Sequence, residues 1–357
     1  MNKLNKESEV YLVVKDNTLV IHYDCNWRHY NVKDLIITIT DEDDLCTLMT
    51  MKIDSFKDKI ETIIIDPLLV NYRFTSCLSL FSGFINLKRI IGLEYLNTSE
   101  VTNMCYMFFD CRELTSLNLK GFDTSYVSDM GSMFHGCESV TELDLSNFDT
   151  SFVNYMSDMF YRCHELKSLN LRNFNTSKVR DMSYMFCECE NLTDLNVSSF
   201  DTSNVTNMNW LFRRCKSLTN LDIRNFNTSK TITMNGMFDG CRNFTDLNVS
   251  SFNTSKVKSM CHMFEDCEKL KELDISNFDT SKVASMKSMF HNCKNLKTIY
   301  AGKDWDTSNV GESTDMFRDC INLVGGKGKK FNPLLSAVYP NARIDEGESK
   351  PGYLTAK

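Results

Sequence analysis

Apolar and polar positions recur along this chain with a step of 26 residues. The triplet Asp/Asn-Thr-Ser begins at Asn97, Asp123, Asp149, Asn175, Asp201, Asn227, Asn253, Asp279 and Asp306, the last step being 27. Each copy then places a Phe and, three residues later, a Cys, from Phe108 and Cys111 through Phe134 and Cys137 to Phe317 and Cys320. A degenerate copy with Cys77, Leu80, Phe81 and Leu87 precedes them. Within one copy Val127, Met130, Met133, Phe134 and Cys137 follow the i, i+3, i+6, i+7, i+10 spacing that predicts one face of a short helix. Asp123, Thr124 and Ser125 offer oxygens to cap its first amides. Beyond Cys137 the period changes: Val140, Leu143 and Leu145 predict a short strand with one buried face, and Phe148 closes the turn to the next unit.

One copy buries about seven apolar side chains, roughly 10–20 kcal/mol, against an ordering cost of about 1–2 kcal/mol for each of its residues. A lone copy therefore does not fold, and copies stack into a solenoid that shares faces and pairs strands. The expected architecture is an α/β solenoid of the leucine-rich-repeat kind, a right-handed array with one short helix and one short strand per repeat. About ten repeats span residues 76–322, a ladder roughly 50 Å long at about 4.8 Å per rung. Residues 1–75 hold β-like runs at 10–14, 19–23, 35–39 and 62–66, with a helix near 55–60, and form a small β-rich N-terminal cap. Residues 323–357 abandon the repeat, turn rich in Gly, Pro and Asn, and form a closing segment.

Composition narrows the functional classes. The 357 residues carry a formal charge of −7, and the Lys and Arg are scattered among acids, so a nucleic-acid partner is not expected. The start, MNKLNKESEVYLVV, lacks a secretory h-region, and no 18-residue apolar run occurs. Neither a visible leader or anchor nor membrane insertion is expected.

The cysteines in register invite a metal or disulfide reading. The tightest pair, Cys187 and Cys189, falls on two different faces of the predicted helix, and side chains in register point the same way about 5 Å apart, too far for a bridge. They read as small hydrophobes that fill the passage from helix to strand. The Asp positions of the triplet alternate with Asn and lack the bidentate Glu of a calcium loop. No metal site and no cofactor are expected. The six histidines, His22, His29, His135, His164, His262 and His291, share no template position, and no catalytic motif occurs, so the chain reads as a non-enzyme.

Function belongs where the repeats disagree. On the strand face the outward positions are polar and lean acidic, as at Asp144, Asp222 and Asp274. On the flank of the predicted helix an i, i+3 row, aromatic early in the array, takes in Tyr106, Phe109 and Tyr161 together with the five residues Tyr126, Phe152, Tyr155, Tyr184 and Trp210. These five are the candidate partner-binding residues, aromatic anchors for a protein; packing between neighbouring helices is the other account of the row.

The segment IIGLEYLNTSEVTNMCYMF, the iterated FDTSxVxxMxxMFxxCxxLxxLxLSNF and the closing ARIDEGESKPGYLT resemble the BspA-like leucine-rich-repeat surface proteins of bacteria, from Asn17 to Tyr353. The resemblance implies a non-enzymatic module at the cell surface or secreted, adhesin-like, which contacts a host or bacterial surface protein. The second expectation is an intracellular protein–protein scaffold, favoured by fifteen cysteines and the missing leader.

Overall fold

The computed structural model describes residues 9–24, 35–38, 45–333 and 342–357. His29, Ile39 and residues 334–341 of the expected closing segment lie outside the described residues.

β1 (Glu9–Lys15) and β2 (Thr18–Asp24) form an antiparallel hairpin whose turn places Asp16 at φ 52°, a left-handed conformation that Asp tolerates. β3 (Leu35–Thr38) pairs antiparallel with β1, while on the other side β2 pairs parallel with β4 (Thr62–Ile65) and β4 with β5 (Arg89–Ile91). The sheet order is β3-β1-β2-β4-β5, so the antiparallel opening passes into parallel stacking within one sheet. The helix expected near 55–60 is a 3-10 helix, Asp54–Lys59. Along the array, β6 (Ser168–Asn170) pairs with β7 (Asp194–Asn196), and β8 (Glu272–Ile275) with β9 (Thr298–Ala301), all parallel and 26 residues apart. Elsewhere the same alternation persists, as where buried Leu143 and Leu145 flank exposed Asp144.

The expected helix of each repeat is absent: among the described residues the α-helix is confined to Leu45–Thr47. Residues 127–137 run as a ribbon of turns instead. The amides of Met130, Ser132, Phe134 and Gly136 donate to the carbonyls of Tyr155, Ser157, Met159 and Tyr161 on the next rung at 2.7–3.1 Å. Those of Met133, His135 and Cys137 donate three residues back, to Met130, Ser132 and Phe134. Ser132 and Gly136, each third in its turn, hold φ of 53° and 71°, as turns of this hand require. Parallel bridges join Asn103, Asp129, Tyr155, Asp181 and their successors to Glu312 in one unbroken column.

Spacing explains why turns replace helix. The rings of Phe81, Phe108, Phe134, Phe160, Phe186, Phe212, Phe238, Phe264, Phe290 and Phe317 stack with centroids 5.5–5.8 Å apart. An α-helix with its side chains is about 10–12 Å across and cannot repeat at that step. The apolar set expected on the helix is nonetheless buried: Val127, Met130, Met133, Phe134 and Cys137 are all 0% exposed.

Two further ladders tie the rungs. Each of the nine template cysteines, Cys111 to Cys320, donates its S–H to the carbonyl of the Phe of the preceding rung at 2.9–3.3 Å. Burial pushes the thiols from Cys111 to Cys293 far above their ordinary range, most clearly for Cys137, Cys189, Cys215 and Cys241, so these stay protonated donors. The buried threonines do the same work with both lone pair and proton: Thr124 Oγ1 donates to the Asp149 carbonyl at 2.9 Å and accepts from its amide at 2.8 Å. The triplet acid closes its own turn, Asp149 Oδ1 accepting from Ser151 N at 2.9 Å, and there is no helix for it to cap.

At the far end Tyr353, 0% exposed, meets Phe317 edge-on at 5.3 Å and terminates the ring stack. β10 (Thr355–Ala356) adds to β9 in parallel. Asp345 accepts the amides of Lys327, Lys329 and Gly347 at 2.8–3.1 Å. Burial works against its charge, and these amides outweigh it, holding the carboxyl below its ordinary range.

Two consequences are measurable. Cys215→Ala removes a buried donor and leaves a small void, and is expected to cost about 1–2 kcal/mol in urea unfolding; alkylation of the native protein is expected to spare the nine ladder thiols, and rapid labelling of Cys137 or Cys215 would contradict the ladder. Asp158 is partly buried at a left-handed position, and burial, then the charge of Asp181, raises its carboxyl to about 6. A raised acid favours the folded state while neutral, so this contribution is complete below the ordinary value of 3.8 and lost as pH rises through 6. Asp158→Asn is expected to raise the melting temperature by about 2 °C or more at pH 7.5 and not below pH 4.

Candidate partner-binding face

Because the rungs stand in register, a residue outside the template lies beside its equivalents 26 residues away, and a column of unlike residues becomes a surface. On the flank of the turn ribbon three columns run together: the two residues after the spine Phe, and the residue after the ladder Cys. Opposite charges on successive rungs pair. Arg162 bridges Glu138 at 3.1 Å and Glu188 at 3.9 Å; Glu188 also takes Arg214 at 3.0 Å and Arg213 at 3.6 Å, and Arg213 reaches Asp239 at 2.8 Å. Farther along, Arg242 meets Asp266 at 3.4 Å, and Glu265 lies between His262 and His291, the latter at 2.6 Å. Burial lifts the Asp239 carboxyl above its ordinary range although Arg213 pulls it down. For Glu265 burial pulls upward, and the two imidazoles outweigh it, leaving the carboxyl low. The more exposed of these pairs, such as Arg242 with Asp266, add little stability singly; together the pairs fix the guanidinium groups in place.

Alongside runs a chain of ring contacts, Tyr106–Phe109 (5.4 Å), Phe109–His135 (4.5 Å), His135–Tyr161 (4.6 Å), Tyr161–Tyr184 (6.0 Å), Tyr184–Trp210 (6.4 Å) and Trp210–His262 (5.8 Å). Burial lowers the His135 pKa, keeping this link neutral at pH 7. The last contact skips a rung because Trp210 lies over Gly236, where a Cβ would sit 1.9 Å from the indole. Beside the indole, at Gly240, lies a depression of about 470 Å³, lined also by Trp210, Arg213, Arg214, Arg242, His262 and Asp266. Arg213 also lies 5.1 Å from the Trp210 ring.

The five residues singled out from the sequence do not share one row, since the helix that defined the row is absent. Tyr184 and Trp210 stand at left-handed positions, φ 58° and 59°, within the ring chain. Tyr126 and Phe152, 63% and 53% exposed, precede the template Val on adjacent rungs, and Lys178 lies 4.1 Å from the Phe152 ring in the same column. Tyr155, 54% exposed, sits in the bridge column between Asp129 and Asp181. The arginines around Trp210 escaped the sequence reading, although alignment of the copies already placed Arg213, Asp239, Glu265 and His291 at one position.

On the strand face a hollow of about 330 Å³ lies among Asp246, Asn248, Glu272, Asp274, Tyr300 and Lys357. Lys357 pairs with Asp274 and so offsets part of the acidity of that face. Cys261 meets the hydroxyl of Ser285 at 2.8 Å, whereas the neighbouring His262 turns to Glu265 and Trp210.

Two solved structures align over most of the chain. A leucine-rich repeat protein from Eubacterium ventriosum shares 16% identity, with 88% of this chain and 94% of that one covered and a TM-score of 0.36. A leucine rich cell surface protein from Faecalibacterium prausnitzii shares 17% identity, with 88% and 91% covered and a TM-score of 0.36. No curated protein matches the chain. The profile of a family described as "Mycoplasma protein of unknown function, DUF285" matches residues 75–170, 164–248 and 217–325, windows that together take in the repeats from the degenerate copy onward, and the chain belongs to that family.

Proposed function

We propose that this chain is a non-enzymatic, macromolecule-binding repeat protein that receives a protein partner on the turn-ribbon flank. On this reading it is adhesin-like, displayed on the surface or secreted in the manner of the BspA-like leucine-rich-repeat proteins that its consensus resembles, and it contacts a host or bacterial surface protein. One observation carries the proposal: the ring chain ends at a depression where Trp210 lies among Arg213, Arg214 and Arg242. Trp, Tyr and Arg are the residue types in which binding energy concentrates. Tyr126, Phe152 and Tyr155 offer further exposed rings on earlier rungs.

A second reading, an intracellular scaffold using the same flank, is favoured by the richness in cysteine, fifteen in the sequence, with the nine ladder cysteines present as thiols. Among the described residues no helix is long and apolar enough to cross a membrane.

Joint replacement of Tyr155, Tyr184 and Trp210 by Ser is expected to reduce partner capture at least tenfold while the melting temperature moves only a few degrees; capture unchanged by the triple variant removes the flank as the site. Protease treatment of intact producing cells separates the two readings. Digestion is the result expected of a surface protein, and protection that expected of the scaffold.

A further inference from the structure

The sheet that opens the fold brings together three groups that no repeat template explains. His22 and Asp24 are two residues apart on β2 and therefore share a face. Asp66 directly follows Ile65, the residue of β4 paired with Ile21, so the parallel register sets it beside His22, with Nδ1 and Oδ2 3.0 Å apart. One ligand atom from each of the three lies within 4.8 Å of the others. We propose that His22, Asp24 and Asp66 bind one divalent transition-metal ion of the Mn²⁺, Fe²⁺ or Zn²⁺ class, which clamps β2 to β4.

The donor set fits that class. One imidazole and two carboxylates are the nitrogen and oxygen donors that these ions accept, and two carboxylates offset a double positive charge. Metal–ligand bonds of about 2.0–2.2 Å bring the donor atoms to roughly 3–3.5 Å of one another, so small side-chain rotations close the site. Each ligand is already oriented by a group outside the triad. The Tyr11 hydroxyl donates to Asp24 Oδ1 at 3.0 Å, and the Leu68 amide donates to Asp66 Oδ1 at 2.8 Å. The Tyr11 ring stacks on the His22 imidazole at 4.9 Å and 18°. Contacts of this kind fix the rotamer and basicity of metal ligands. His22 and Asp66 side chains are only 15% and 16% exposed, which limits competition from water.

Position gives the ion a use. The triad straddles β2 and β4, the step at which the antiparallel hairpin hands over to the parallel stack. A clamp there holds the end of the array independently of the hydrophobic core. Three protein ligands leave the remaining coordination positions to water.

The test uses the full chain freed of metal with a chelator, and Mn²⁺, which the protonated core thiols do not attract. Loss of the free Mn²⁺ signal in electron paramagnetic resonance is expected at one ion per chain, with a rise in melting temperature on saturation. Asp66→Asn keeps an acceptor for Leu68 N, and Asp24→Asn keeps one for Tyr11; each is expected to weaken Mn²⁺ binding at least tenfold and to abolish the thermal shift. Asp274→Asn, on the distant strand face, is expected to change neither. The proposal is overturned by no uptake of Mn²⁺, by uptake indifferent to the substitutions at 24 and 66, or by uptake lost in the Asp274 variant. A plain His22–Asp66 ion pair is the account that any of those results would leave.

Discussion

Backbone hydrogen bonds that cross from one rung to the next set the step of this molecule, and the phenyl rings stacked 5.5–5.8 Å apart register it in the core. No element that satisfies its own amides fits so short a repeat. The turn ribbon is the solution: alternate amides close turns, and the others cross to the neighbouring rung. The same constraint accounts for the residues that recur. Phe fills the space between rungs, Cys is small enough to lie beside it and still donate to the Phe carbonyl below, and Thr supplies both donor and acceptor where backbone groups of two rungs would otherwise be left unpaired when buried.

Much of this was legible because identical residues at a constant step can only mean stacked equivalents. The core faces, the Leu-x-Leu alternation and the buried role of Met, Phe and Cys all stand where the pattern placed them. The helix was misread because spacings of 3, 3, 1 and 3 suit a helical face and a turn ribbon equally well. A contrary signal was present: Asp110, Gly136, Asp158, Gly236, Gly240 and Asn292 occupy the interior of the supposed helix, and all take positive φ. Gly, Asp and Asn are poor helix formers and are at home in left-handed backbone. The cysteines were read as mere fillers, since the carbonyl each one meets lies 29 or 30 residues away in sequence.

The candidate face shows the same division. Tyr184 and Trp210 were found because aromatic residues stand out, but grouping them with Tyr126, Phe152 and Tyr155 relied on helical geometry that the chain does not adopt. The charge columns emerge only when rungs are set side by side, and Gly236 gains meaning only as the floor beneath Trp210. A scaffold that buries the Val, Met, Phe and Cys side chains of its template frees its flank to vary, so that Arg213, Asp239, Glu265 and His291 can occupy one structural position without disturbing the core. At the opening sheet, His22, Asp24 and Asp66 lie together by strand register, which their positions in sequence do not announce.

The account stands or falls on where the ribbon amides send their hydrogen bonds. Scalar couplings across hydrogen bonds, measured by NMR on deuterated protein, report donor and acceptor directly. A correlation from the Phe134 nitrogen to the Met159 carbonyl, one rung on, is the predicted result. A correlation from Phe134 to Met130, four residues back, is the signature of an α-helix and would contradict it.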